Sequence, residues 1–208
     1  FPLDPVYSGE AEPVKDPGLS IAGVKFDPQT AETATCSNGT TYRIEAVQDV
    51  VDLGLDMNNA HVQPTGAYHY HGVSSDLVDA ADTGGDLVHV GFAYDGHLIV
   101  YSKGGEYSSS YQLSTEERAG ADCAWDSRAS GATVVFEGTT PDGSFVEDWE
   151  YVEGAGELDE CNGIEIDGEY VYLLTDEYPY VPRCLMGEFD ASQTGPGGGG
   201  NGGPPPGA

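Results

Sequence analysis

Short alternating runs, divided by turn pairs that accept positive φ, are the feature that most constrains this chain. Asn38-Gly39 separates residues 32–37 from 40–46, and Asp95-Gly96 separates 87–94 from 97–102. Asp167-Gly168 separates 163–166 from 169–174, and Pro141-Asp142-Gly143 separates 133–138 from 144–152. Asn-Gly and Asp-Gly supply the left-handed backbone that two-residue hairpin turns require, so each site predicts an antiparallel hairpin. Side-chain alternation agrees. Phe145, Glu147, Trp149 and Tyr151 share one face, and Ile164 and Ile166 share another with Glu165 opposite. Helical pattern is thin. Ser114-Thr115-Glu116-Glu117 has the form of a capping box opening a short helix towards Trp125, whereas 49–59 reads as a loop because of Gly54 and Asn58-Asn59. The predicted fold is all-β, or β-rich with one or two short helices: an antiparallel, sandwich-like single domain.

The two ends differ from the middle. Pro2, Pro5, Pro13 and Pro17 make residues 1–19 read as an extended arm, and residues 191–208 as a Gly/Pro-rich tail unable to build a core. The domain is then residues 20–190. The chain starts at Phe1 rather than Met, the expectation for a mature form after removal of a secretory signal. Cys36, Cys123, Cys161 and Cys184 read as two disulfides with three pairings open, and no Cys-x-x-Cys suggests a zinc ribbon or redox motif. Asn38-Gly39-Thr40 is a glycosylation sequon on a turn. Together these place the protein outside the cell. No apolar run approaches the ~20 residues of a membrane span. With 7 Lys plus Arg against 36 Asp plus Glu, a net charge of −29, nucleic acid and anionic membrane surfaces are poor partners.

All five histidines, His61, His69, His71, His89 and His97, fall between residues 61 and 97. In Tyr68-His69-Tyr70-His71 the two residue types alternate with the period of a strand, so the tyrosines face one way and the histidines the other. Two imidazoles on one strand face can converge on an ion, with His61 or Asp86 as a third ligand. Neutral imidazole suits copper, zinc or nickel. The same side chains could instead hydrogen-bond to buried carboxylates such as Asp159 or Asp176, or take part in catalysis. Calcium is a separate expectation for two acidic segments, one with Asp52, Asp56 and Asn58 and one with Asp76, Asp79, Asp82 and Asp86. Neither follows the EF-hand spacing, and both also read as solvated loops. No Gly-x-Ser-x-Gly is present, so nucleophilic catalysis has no motif and no catalytic residue is assigned.

Four blocks in order resemble the YHYH-domain family of mostly secreted bacterial proteins. They are Pro64-x-Gly66-x-Tyr68-His69-Tyr70-His71, Gly91-Phe92-Ala93-Tyr94-Asp95-Gly96, Leu158-Asp159-Glu160-Cys161-Asn162-Gly163, and Thr175-Asp176-Glu177-Tyr178-Pro179-Tyr180 before Arg183 and Cys184. The resemblance covers about residues 58–187. It implies a second Tyr-His-Tyr-His where this chain has Tyr170-Val171-Tyr172-Leu173, and a histidine where it has Asp86. If the family site needs both histidine pairs, this chain has lost half of it.

The leading functional expectation is therefore an extracellular, non-enzymatic structural protein that forms filaments or fibrils. Its extended ends would dock into, or add a strand to, neighbouring copies as a homopolymer. Self-repulsion at a net charge of −29 opposes such assembly. The alternatives are a secreted metal-binding module and a hydrolase or redox enzyme using the histidine cluster.

Overall fold

The computed structural model describes residues 1–194 except Pro64, Arg128 and Ala129. Its strands are short. β1 (Tyr7–Pro13), β2 (Gly18–Ser20) and β3 (Lys25–Phe26) are followed by β4 (Thr33–Thr35), β5 (Thr41–Arg43), β6 (Ala60–Val62) and β7 (Tyr68–Tyr70). After α1 (Ser75–Ala81) come β8 (Leu87–Ala93), β9 (Leu98–Ser102), β10 (Tyr111–Leu113), β11 (Cys123–Asp126) and β12 (Thr133–Phe136). The last are β13 (Trp149–Tyr151), β14 (Gly163–Ile166), β15 (Glu169–Leu174) and β16 (Cys184–Gly187).

Eight of these strands form the central sheet, in the order β14-β15-β9-β8-β2-β3-β7-β6. It is mostly antiparallel, with β15–β9 and β3–β7 parallel. Alternation along its strands buries both faces. Ile99, Tyr172 and Leu174 enter one core with Phe26, Val88, Val90 and Leu185, while Val100, Val171 and Leu173 enter another with Leu158. Gly91 is needed where β8 passes β2 and β3, because a Cβ there would lie 2.5 Å from the Leu19 carbonyl oxygen and 2.9 Å from the Phe26 ring. A four-stranded sheet, β12-β11-β4-β5, packs Ala34, Ile44, Phe136 and Phe145 into a further core. The β1–β16 and β10–β13 ribbons complete a β-rich fold with several antiparallel sheets and, among the described residues, no closed barrel.

Three predicted hairpins form: β4–β5, β8–β9 and β14–β15. The fourth does not. β12 pairs with β11, and β13 pairs with β10. The run expected to be one strand from 144 to 152 is interrupted by a 3-10 turn, Val146–Asp148. Asp148 causes the interruption. Its carboxylate accepts hydrogen bonds from the backbone N–H groups of Gly143 and Phe145 and from the buried Arg118 guanidinium, at 2.7 Å from Nε. Ser114 opens no helix; its hydroxyl accepts only the Glu116 N–H. The helix lies instead at 75–81, where the Ser74 hydroxyl accepts the Leu77 N–H, and Leu77 and Val78 face the core.

The extended-arm reading of residues 1–19 is corrected. β1 pairs with β16 of its own chain, and β2 lies inside the central sheet between β8 and β3. Phe1 stacks on Tyr94, with ring centroids 5.4 Å apart. The body therefore begins at the N-terminal residues rather than at 20. Of the predicted tail, Ala191–Gln193 form a 3-10 turn, and residues 195–208 lie outside the described residues.

Candidate metal centre

β6 and β7 are an edge hairpin whose register sets His61 directly opposite His69. Directly opposed residues project from the same face, and His71, two positions beyond His69, returns to it. Three imidazoles therefore crowd together, with ring centroids 4.7 Å (61–69), 5.0 Å (61–71) and 4.6 Å (69–71) apart. One ligand nitrogen from each lies within 4.8 Å of the others, the only such grouping of metal-ligating side chains among the described residues. The tyrosines take the opposite face. Tyr70 is buried against Phe26, and Tyr68 donates its hydroxyl to Asp56 at 2.6 Å.

Two backbone carbonyls orient the rings. His61 Nδ1 lies 2.9 Å from the Leu53 carbonyl oxygen and His69 Nδ1 lies 3.4 Å from that of Ala67. A carbonyl only accepts, so it holds the proton on Nδ1 and leaves each Nε2 with a free lone pair. His71 Nε2 sits 3.2 Å from His61 Nε2, while its Nδ1 is buried without a hydrogen-bond partner. With the His61 proton held on Nδ1, a hydrogen bond between the two Nε2 atoms needs the His71 proton on its Nε2. Moving it to the idle Nδ1 would free all three Nε2 atoms. Two nitrogens on a tetrahedral zinc ion stand roughly 3.3 Å apart, which the 3.2 Å separation already matches.

His69 and His71 are buried and His61 is half-buried, so the cluster is closed below and open on one side. Burial pushes the His71 imidazole down to about 4, helped by the neighbouring His69 and His61. Burial likewise lowers His69. Both are neutral at pH 7, the form that ligates metal. Asp27, buried nearby, opposes these shifts with its negative charge, and its carboxylate is held by Lys25 at 2.9 Å and Gln63 at 3.2 Å.

The other sequence candidates lie elsewhere. Asp86 is not beside the triad; its oxygens accept from the Ser102 hydroxyl (2.8 Å) and the Gly104 N–H (2.7 Å). Asp159 binds Tyr170, and Asp176 accepts the Tyr101 hydroxyl, so neither holds a histidine of the triad. His89 Nε2 meets the Gly91 carbonyl oxygen and His97 faces Asp95. In the acidic segments Asp52 and Asp56 accept backbone N–H groups of their own loop and Asp82 pairs with Lys103. No calcium-like convergence of their oxygens occurs among the described residues. The cysteines pair as Cys36–Cys123 and Cys161–Cys184. Asn38 is exposed on the β4–β5 turn, and its Nδ2, the atom a glycan would use, donates to the Ala119 carbonyl.

Val171 and Leu173, at the position where the family resemblance implies a second histidine pair, sit on β15 in the core beside Val100 and Leu158. β15 is five strand spacings from β7 in the sheet order, roughly 24 Å along the sheet. The triad is complete without that pair. Sequence reasoning missed the carbonyls of Leu53 and Ala67 because backbone groups leave no residue-type signal. The placement of His61 did have one: His61 and His69 are equidistant from Thr65, beside the Gly66 of the turn.

A family model described as YHYH protein matches residues 1–187 of the chain. No curated protein and no solved structure matches it.

Proposed function

The chain belongs to the YHYH protein family, and we propose that it serves as an extracellular module that binds one d-block metal ion through His61, His69 and His71. The observation that carries this reading is the convergence of three imidazole nitrogens within 4.8 Å, two of the rings oriented from behind by carbonyls. An all-imidazole set favours zinc, copper or nickel over calcium or magnesium, which prefer oxygen. When bound, zinc would supply a Lewis acid and copper a one-electron couple. The chain's own part is to hold the rings, keep their Nδ1 protons occupied and leave the His61 side open. Two disulfides support an oxidising, extracellular setting, and no helix among the described residues is long and apolar enough to cross a membrane.

Self-assembly stands behind this reading. The N-terminal residues find their strand partners within their own body, and the remaining Gly/Pro tail lies outside the described residues. Catalysis also stands behind it, because three imidazoles alone specify a metal more directly than a reaction. Elemental analysis and calorimetric titration with zinc and copper salts test the proposal. About one equivalent of metal is expected in wild type and a large loss in His69→Ala; less than about 0.1 equivalent of every d-block metal, unchanged by that substitution, ends it.

A further inference from the structure

The central sheet carries the triad at its β6–β7 edge and a cleft of about 1040 Å³ at the opposite, β14–β15 edge. Aromatic rings form its walls, including Tyr7, Phe92, Tyr151 and Tyr170, with Tyr7 and Tyr170 centroids 4.8 Å apart. Glu153, Glu157, Glu165 and Glu169 also line it, and no Lys or Arg does. Glu157 is occupied by Ser108, but Glu153, Glu165 and Glu169 make no side-chain hydrogen bond among the described residues.

His97 is the second, independent observation. It lines the cleft although only 6% of it is exposed, and its ring stands edge-on to Tyr170 at 5.2 Å. Behind it lies Asp95, fully buried, whose carboxylate accepts from the Tyr172 hydroxyl and the Gly187 N–H. His97 Nδ1 stands 3.2 Å from that carboxylate without hydrogen-bond alignment, and Nε2 has no partner among the described residues. With Nδ1 turned to that anion, Nε2 is the ring nitrogen left to meet a ligand.

The side chains lining the cleft thus offer acceptors, carboxylates and π faces and no Lys or Arg; a positive group among the lining residues is the Phe1 α-ammonium. The complement of these side chains is a donor-rich cation, attracted by charge and by the ring faces. The carboxylates do not converge at ion-coordinating spacing, so an inorganic divalent ion does not fit, and the volume suits an extended ligand. We propose that this cleft binds an organic polycation carrying alkylammonium groups, with His97 Nε2 accepting from one of them.

Titration calorimetry of the full chain with spermine and with hexalysine, in about 150 mM NaCl to screen diffuse attraction, tests this. One-to-one binding of either probe is expected, and which probe binds tells a small polyamine from a basic peptide segment. The double variant Glu153→Gln/Glu165→Gln should weaken binding about tenfold, and Tyr151→Ala several-fold, through lost charge and ring contact. The charge-matched control Asp76→Asn/Asp79→Asn, outside the cleft, should leave it within about twofold. Equal weakening by cleft and control variants, or no saturable binding of either probe, overturns the proposal.

Discussion

At the residue scale, His71 shows how burial and ligation share one cause. Taking its imidazole out of water penalises the charged form and brings its pKa down to about 4, against about 6.5 in an unfolded chain. The unfolded state then binds more protons than the folded state between those values. The contribution of His71 is therefore fully present above pH 6.5 and is lost as pH falls towards 4. In metal-free protein this amounts to about 2 kcal/mol by pH 5. Urea unfolding of wild type and His71→Asn at pH 7 and pH 5, in chelator, checks it: the stability gap between the two should shrink by that amount on acidification. A gap independent of pH would contradict the burial argument. At this scale the sequence was legible where side-chain type carries the signal, as in the shared face of His69 and His71. It was not legible for Asp86, whose place beside Ser102 and Gly104 depends on how Lys103 and the start of β8 meet.

At the element scale, turn chemistry predicted the hairpins where nothing stronger competed. Asn38-Gly39, Asp95-Gly96 and Asp167-Gly168 each join paired strands. Pro141-Asp142-Gly143 fails because a long-range bond outweighs a local preference. Arg118, 30 positions from Asp148, is buried with it and ties the chain into a turn before β13 can extend β12. Removing one side of such a pair leaves a buried charge uncompensated. Asp148→Ala should therefore lower unfolding free energy by about 3–5 kcal/mol, well beyond an exposed aspartate such as Asp79→Ala, as measured by urea denaturation. The disulfides separate by loop length. Cys36–Cys123 closes 87 residues and Cys161–Cys184 closes 23. Restriction of the unfolded chain predicts that the Ser/Ser replacement of the first pair costs about 1 kcal/mol more than that of the second. Chemical denaturation of the two double variants tests the order, and a larger loss for the shorter loop would contradict it.

At the scale of the whole molecule, the excess of acids governs solution behaviour. Of the few cations, Lys25, Lys103, Arg118 and Arg183 are each held by a carboxylate, and with every Lys and Arg counted against the acids a net charge of −29 remains. Two opposite effects of salt follow. Screening weakens the exposed Lys103–Asp82 pair, a single surface interaction, and it also weakens the repulsion among the remaining acids, which acts over the entire surface. Arg118–Asp148 and Arg183–Glu45 are buried and respond little. Repulsion is therefore the larger salt-sensitive effect, and added salt should stabilise the fold. Raising NaCl from about 10 mM to 500 mM is expected to raise the melting temperature by roughly 3–6 °C, the shift produced by 1–2 kcal/mol in a chain of this size. Scanning calorimetry in chelator, with sucrose at matched osmolality as a control for solvent exclusion, separates this from metal binding. A melting temperature that falls with salt would mean that surface ion pairs, rather than net charge, dominate the electrostatics of the native state.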